Sequence, residues 1–159
     1  MNEINWNQKI NYKKIEHERT EDAPFIGALI SACDCNFNCK NCFNQHLKKA
    51  PIINKTLKEI FGEICCNKFN KGIIFGGLEW TNQIDELKLL ATAAKNCGLK
   101  TMLYTGRIFE DKIVQELFST DLFDYIKCGK YKEKEKSINH IEFGVTLASN
   151  NQHIYKRER

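Results

Sequence analysis

Three cysteines in one short segment constrain this chain more than any other feature of its sequence. Cys35, Cys39 and Cys42 follow the pattern C-x3-C-x2-C, and Cys33 lies just before them. Thiolates spaced this closely can bind one face of an iron–sulfur cube, because cysteine thiolates are the usual ligands of such clusters. A cube has one more iron than this triplet has sulfurs, so the pattern predicts a [4Fe-4S] cluster with an open coordination position.

The alternative interpretation of the same segment is a zinc site with Cys33 as the fourth ligand. Structural zinc sites usually combine two C-x2-C pairs separated by a longer segment. Here only Cys39 and Cys42 have that spacing. The sequence therefore favours the iron–sulfur cluster over zinc, and Cys33 is predicted to be a thiol packed at the end of a strand.

Composition and charge restrict the class of protein. The 159 residues include 42% hydrophobic residues and only two prolines, which favours one folded domain over a disordered chain. The sequence shows no export signal and no apolar run long enough to span a membrane, so we expect a cytoplasmic protein. Its eight cysteines are therefore interpreted as reduced thiols and metal ligands. The net charge of +4 is modest and the charged stretches mix both signs, so nucleic acid is not an expected partner.

Apolar runs typical of buried strands alternate with helical patterns along the chain. Strands are predicted at 25–31, 72–77, 100–104 and 124–128, with a possible fifth at 142–147. Helices are predicted from 54–56 to just before Lys71, at 83–96 and at 109–119. Four or five such units imply parallel strands but are too few to close an eightfold barrel. We therefore predict an α/β fold that forms an open partial β/α barrel of about four to five parallel strands. The barrel is expected to form a single domain at 25–159, and residues 1–24 are expected to form a leader that packs on it.

Ligands of parallel α/β sheets bind at the carboxyl ends of the strands. The cysteine segment, Gly76-Gly77, Thr105-Gly106 and Gly129 all follow predicted strands. We expect these segments to meet at one site, although they lie far apart in the sequence.

The cysteine triplet resembles the signature of the radical S-adenosylmethionine (SAM) enzymes. Over residues 10–152 the resemblance narrows to the activating proteins of the anaerobic (class III) ribonucleoside-triphosphate reductase. The segments that carry the narrower resemblance are Cys42-Phe43-Asn44, Gly76-Gly77-Leu78-Glu79, Tyr104-Thr105-Gly106, Asp124 to Tyr131 and Ser149-Asn150-Asn151-Gln152.

The resemblance implies a radical-SAM-type partial barrel in which Cys35, Cys39 and Cys42 hold the cluster. It also implies a set of SAM-contacting residues, which we take to be Gly76, Gly77, Glu79, Thr105 and Asn41. In this chain Leu78 separates the two glycines from the acidic Glu79, whereas the family usually has Gly-Gly-acidic. Asn41 stands where many radical SAM enzymes have an aromatic residue, and Phe43 is the nearby aromatic alternative.

The implied activity is reductive cleavage of SAM, followed by hydrogen abstraction from a glycine in the large subunit of the reductase. The electron would come from an external flavodoxin- or ferredoxin-like donor. Two alternatives stay open: a radical SAM enzyme that acts on another protein or peptide, and a non-catalytic zinc or iron–sulfur module. Cys33 distinguishes the non-catalytic module from the enzymes, since a fully ligated site needs a fourth cysteine. Replacing Cys33 should therefore leave the cluster of an enzyme intact and remove that of a non-catalytic module.

The remaining candidate residues have simpler interpretations. Asp124, Lys127 and Lys130 are predicted to be solvated charges, and 149–152 either closes the pocket or forms an Asx-type turn. His46, His140 and His153 show no pairing pattern. The cysteines outside the segment are predicted to pack within the fold, and these are Cys65, Cys66, Cys97 and Cys128.

Overall fold

The computed structural model describes residues 3–37, 39, 42 and 44–158. The strands are β1 (Lys9–Tyr12), β2 (Lys14–Arg19), β3 (Gly27–Ser31), β4 (Ile53–Thr56), β5 (Gly72–Gly76), β6 (Lys100–Thr105), β7 (Tyr125–Cys128), β8 (Lys136–Glu142), β9 (Val145–Ser149) and β10 (His153–Lys156). The α-helices are α1 (Leu57–Cys66), α2 (Ile84–Asn96) and α3 (Lys112–Ser119).

A six-stranded mixed sheet in the order β10-β7-β6-β5-β3-β2 forms the centre of this α/β domain. Its four inner strands, β3, β5, β6 and β7, are parallel. Ile73, Ile74 and Phe75 of β5 are fully buried, as expected for a parallel strand that is covered on both faces. The four strands predicted between residues 25 and 128 are therefore present, while closure of this sheet toward a partial barrel stays a prediction.

Local sequence signals set the ends of the helices. Thr56 caps α1 through a capping box, in which its hydroxyl accepts a hydrogen bond from Glu59 N and the Glu59 carboxylate accepts one from Thr56 N. Gly98, with φ of +73°, follows α2. The third helix begins later than predicted because Asp111, rather than a residue near 109, caps it by accepting a hydrogen bond from Ile113 N.

The N-terminal segment does more than pack on one end of the domain. It forms β1, which pairs with β4, and β2, which is an antiparallel edge strand of the main sheet beside β3. Ile10 and Tyr12 are buried in the core. The sequence did not reveal these strands because edge strands carry polar residues on their solvent face.

The predicted fifth parallel strand at 142–147 is wrong. These residues straddle the turn of a separate hairpin, in which Glu142 of β8 pairs with Val145 of β9. Phe143 and Gly144 both have positive φ, 51° and 79°, and so form the tight turn that reverses the chain. The position beside β7 in the main sheet is taken by β10, which runs antiparallel.

In the described ranges, every helix is too short or too polar to cross a lipid bilayer.

Candidate functional site

A cavity of about 520 Å³ opens at the carboxyl ends of the parallel strands. Its size falls within the range of about 300–1,000 Å³ that is usual for small-molecule sites. The segments after β3, β5, β6 and β7 all contribute to its wall, and β2 and β9 contribute at its sides. The structure thus brings the predicted segments together at one edge of the sheet.

All three cysteines of the triplet line this cavity. The backbone holds the last two in a turn, since Cys42 N donates to Cys39 O at 3.3 Å. The first is positioned by its neighbour, because Cys35 N donates to the Asp34 carboxylate at 2.8 Å. Burial raises the pKa of the Cys35 thiol. A metal would reverse that shift because it binds the thiolate.

The cysteine segment is fixed to the neighbouring strand ends. Glu79 N donates to Asp34 O at 2.8 Å, which joins it to the segment after β5. The Phe37 ring lies against Gly106 so closely that a Cβ at Gly106 would come within 2.9 Å of the ring. A side chain at position 106 would therefore displace the Phe37 ring, whereas glycine leaves room for it.

Cys33 points to a different environment. It is not among the described residues that line the cavity. Its amide donates to Gln83 Oε1 at 2.8 Å, and its half-buried thiol has its pKa raised by burial and by Glu86. This placement leaves three thiols, rather than four, on the cavity wall.

Two glycines lie at the end of β5, and the second one allows the backbone to pass close to Ser31. Gly77 lines the cavity with φ of +76°, and a Cβ there would lie 2.5 Å from Ser31 Cβ. Gly76 is the last residue of β5, and it pairs with Ser31 but is not among the described lining residues. Of the two, Gly77 is the one whose backbone faces the cavity.

Ser31 is a site residue that the sequence analysis missed. It is fully buried and lines the cavity, yet its Oγ has no hydrogen-bond partner among the described residues. An unsatisfied buried hydroxyl is uncommon in native proteins and calls for an explanation such as a ligand. The only available signal in the sequence was a polar residue at the end of an apolar run.

Glu79 and Thr105 line the cavity, but their polar side-chain atoms form hydrogen bonds with each other, with Thr81 and with nearby backbone. The Glu79 carboxylate accepts hydrogen bonds from the Thr105 hydroxyl at 2.9 Å, Gly106 N at 2.8 Å, the Thr81 hydroxyl at 2.7 Å and Thr81 N at 3.2 Å. Glu79 is only 3% exposed. Its evident role in the fold is to join the ends of β5 and β6, and direct contact of either side chain with SAM stays a prediction.

Lys127 is not the solvated charge that was predicted. It lies in β7, lines the cavity, and places Nζ 5.0 Å from the centre of the Tyr104 ring. Burial lowers the pKa of Lys127 to about 8, although Cys128 and, to a smaller extent, Glu79, Cys39 and Cys42 favour the charged form. Lys127 thus places a cation on the wall of the cavity that the three thiols also line.

The prediction of a solvated charge is wrong for Asp124 and right for Lys130. The Asp124 carboxylate accepts hydrogen bonds from Lys95 Nζ at 2.6 Å and from Thr101 N at 2.9 Å, so it fastens β7 to β6 and α2. Lys130 lines the cavity with an exposed side chain.

The segment 149–152 both turns the chain and contributes to the cavity. Gln152 lines the cavity and is buried, its Nε2 donates to Gly129 O at 3.1 Å, and its Oε1 accepts from Ala148 N at 3.1 Å. Asn151 Nδ2 donates to Lys130 O at 2.8 Å. This amide network attaches the hairpin to the end of β7.

Strand β2 supplies a charged side of the cavity that was not predicted. Lys14, Glu16 and Arg19 line it together with Asp22, to which Arg19 Nε donates at 2.6 Å. His46 lines the cavity as well. The predicted contributors Asn41 and Phe43 lie outside the described residues.

The other cysteines divide into two groups. Cys128 is buried as predicted, and burial raises its pKa to about 12. Cys65, Cys66 and Cys97 are exposed, so the prediction that they pack inside the fold is wrong. They lie at the last turn of α1 and just after α2, where the helix ends face solvent.

Comparison with known proteins identifies the cluster family. A comparison with curated proteins found no match. The model of a family described as "4Fe-4S single cluster domain" matches residues 27–155, which include the triplet and the strand ends that surround it. The chain therefore belongs to the 4Fe-4S single cluster domain family and is an iron–sulfur protein.

Proposed function

We propose that this chain is a radical SAM activase that generates the glycyl radical of an anaerobic ribonucleoside-triphosphate reductase. The observation that carries the proposal is the composition of the cavity wall. Three cysteine thiols share it with an unpartnered buried hydroxyl, a close-approach glycine and a half-buried lysine, namely Ser31, Gly77 and Lys127. A cluster that served only to transfer electrons would not need a ligand pocket beside it.

The residues fit a cluster that has one open iron. Among the described residues, three thiols line the cavity and that of Cys33 does not, so the cysteines supply one ligand fewer than a fully ligated cube needs. In this proposal the four parallel strands form the radical-SAM-type partial barrel, and the cluster binds at their carboxyl ends. When bound, the cluster and SAM supply the one-electron chemistry that abstracts hydrogen from a glycine of the reductase.

The side chains around the thiols can position an amino-acid ligand such as the methionyl part of SAM. Lys127 offers a cation to its carboxylate. The backbone at Gly77 allows a close approach, and the Ser31 hydroxyl offers a hydrogen bond that no described residue of the chain takes up. Glu79 holds the ends of β5 and β6 at a fixed spacing, so that these groups stay aligned.

In this proposal the protein substrate approaches the cavity from the side of Lys130 and the β8–β9 hairpin. The exposed Lys130 and the β8–β9 hairpin lie at its wall, and no closed barrel of strands surrounds it in the described part of the chain. A polypeptide loop that carries the target glycine could therefore reach the cluster. The partner would cover this side during the reaction and exclude water, and an external flavodoxin- or ferredoxin-like protein would supply the electron.

The proposal is tested by mixing the reconstituted, reduced chain with SAM and the large subunit of the reductase from the same genome. We expect a glycyl radical signal by electron paramagnetic resonance, with 5′-deoxyadenosine formed in parallel. The Cys39→Ala variant is the control and should give neither. Cleavage of SAM without any radical on the reductase would contradict this substrate and favour a different protein or peptide, whereas absence of cleavage would reject the enzymatic assignment.

Ser31→Ala should separate ligand binding from stability. Removing an unsatisfied buried hydroxyl should leave the urea midpoint of the ligand-free chain unchanged or slightly higher, because the buried group costs about 1–3 kcal/mol when it has no partner. The affinity for SAM should fall by about fivefold to tenfold, which corresponds to one lost hydrogen bond. The measurements are chemical denaturation and SAM titration of the cluster-loaded protein. Equal SAM affinity in the two proteins would show that Ser31 is not a ligand contact.

A further inference from the structure

A second group of possible metal ligands lies where the hairpin meets the edge of the main sheet. It consists of His140 and Glu142 of β8 and His153 of β10. One potential ligand atom from each residue lies within 4.8 Å of the other two. The sequence analysis found no pairing pattern for these histidines because β8 and β10 are brought together only by the tertiary fold.

The two imidazoles converge on one carboxylate oxygen. His140 Nε2 lies 3.1 Å from Glu142 Oε2, and His153 Nδ1 lies 2.8 Å from the same atom. Ligands at about 2.0–2.2 Å from a tetrahedral zinc ion are separated by about 3.3–3.6 Å. Small side-chain movements would therefore place the three atoms around an ion.

The surroundings hold this donor set in position. Glu142 Oε1 accepts a hydrogen bond from Ile154 N at 2.8 Å, which orients the carboxylate from behind. The Gln152 carbonyl oxygen lies 2.8 Å from His140 Nε2 and adds an oxygen at the edge of the site. The His140 and Glu142 side chains are 20% and 23% exposed and that of His153 is 50% exposed, so an ion can enter from solvent and retain water.

We propose that His140, Glu142 and His153 bind one divalent transition-metal ion of the zinc type. Two imidazole nitrogens and a carboxylate are ligands that Zn²⁺ and its neighbours in the first row prefer over Mg²⁺ or Ca²⁺. The site is separate from the cysteine triplet: in the described part of the chain, none of its three residues lines the cavity.

Metal binding would cross-link the hairpin to the main sheet. Strand β8 carries two of the ligands and pairs with β9, whose residues Thr146 to Ala148 form part of the cavity wall. Strand β10 carries the third ligand and pairs with β7, which carries Lys127. The bound ion thus fixes the hairpin wall relative to the strand that carries the cavity cation.

The test uses tag-free, cluster-loaded protein in which the exposed thiols are removed by Cys65→Ser, Cys66→Ser and Cys97→Ser. Zinc titration by calorimetry is expected to give one equivalent bound. Loss of an outer-shell group alone commonly costs about 10- to 100-fold in metal affinity, so His140→Gln, Glu142→Gln and His153→Gln should each cost at least that much. Zinc should also slow amide hydrogen exchange across the hairpin in the parent protein and not in these variants.

A second His–Glu pair provides the matched control. His17 Nε2 lies 2.8 Å from Glu63 Oε2, and in the described ranges this pair belongs to no group of three possible ligands. His17→Gln should therefore leave zinc binding unchanged. Zinc binding that survives Glu142→Gln, or that His17→Gln weakens equally, would overturn the proposed site, as would absence of binding to the parent protein. Each variant is first checked for an unchanged circular dichroism spectrum in zinc-free buffer.

Discussion

Replacing Cys35, Cys39 or Cys42 by alanine, one at a time, is expected to abolish both the brown colour of the reconstituted protein and its proposed cleavage of SAM. Each of the three thiols lines the cavity, and a cube held by only two thiolates has lost a protein ligand that no further cysteine among the described lining residues can replace. Cys33→Ala should keep both properties, because Cys33 does not line the cavity among the described residues. The measurements are iron and sulfide content, the visible absorption spectrum, and 5′-deoxyadenosine formed under reducing conditions.

The same four variants discriminate the alternatives. Loss of the cluster in Cys33→Ala would mean a fully ligated site, which would favour a non-catalytic module over an enzyme. Colourless, zinc-filled wild-type protein after anaerobic reconstitution would contradict the cluster altogether. Retention of both iron and cleavage in any triplet variant would remove that cysteine from the ligand set.

Gly77→Ala is expected to destabilise the chain far more than Gly98→Ala, although both glycines have nearly the same positive φ, +76° and +73°. A left-handed conformation costs a non-glycine residue about 1–2 kcal/mol at either position. At Gly77 the new Cβ would also lie 2.5 Å from Ser31 Cβ and 2.9 Å from Ser31 Cα, and such overpacking typically adds about 1–3 kcal/mol. At Gly98 the Cβ would meet nothing within 4 Å.

Urea denaturation of the metal-free variants measures this difference as a change in the free energy of unfolding. SAM affinity should fall only in Gly77→Ala, since that residue alone of the two lines the cavity. Equal destabilisation of the two variants would show that the strand end at Ser31 can move to accept a side chain, and that the close approach is not a structural requirement.

Much of the parallel sheet was predictable because each strand carries its own signal. Gly72–Gly76 reads as a continuous apolar run and is buried at every position, so its place between two other strands follows from composition. The edge strands were not predictable in the same way. Lys14–Arg19 is polar and half-exposed, and it becomes a strand because β3 offers it a row of backbone hydrogen-bonding groups.

In the candidate site, too, some residues were predictable from a local sequence pattern and others were not. The triplet was recognisable because its three cysteines lie within one short segment, where spacing alone restricts the geometry. Lys127 was not, since a lysine in a strand has the same sequence appearance whether it faces solvent or a cavity. Ser31 was missed for a similar reason: whether a hydroxyl has a partner depends on atoms from other segments.

The sequence by itself determined the cysteine triplet that we propose as the cluster ligands, the strand–helix alternation and the meeting of the strand ends at one edge. These features depend on residues close in the chain or on a general property of parallel sheets. Only the tertiary structure decided that 142–147 spans a hairpin turn, that Lys127 lines the same cavity as the thiols, and that His140, Glu142 and His153 converge. Those arrangements join strands distant in the chain, and their register and side-chain directions are set by packing between elements rather than by any local pattern.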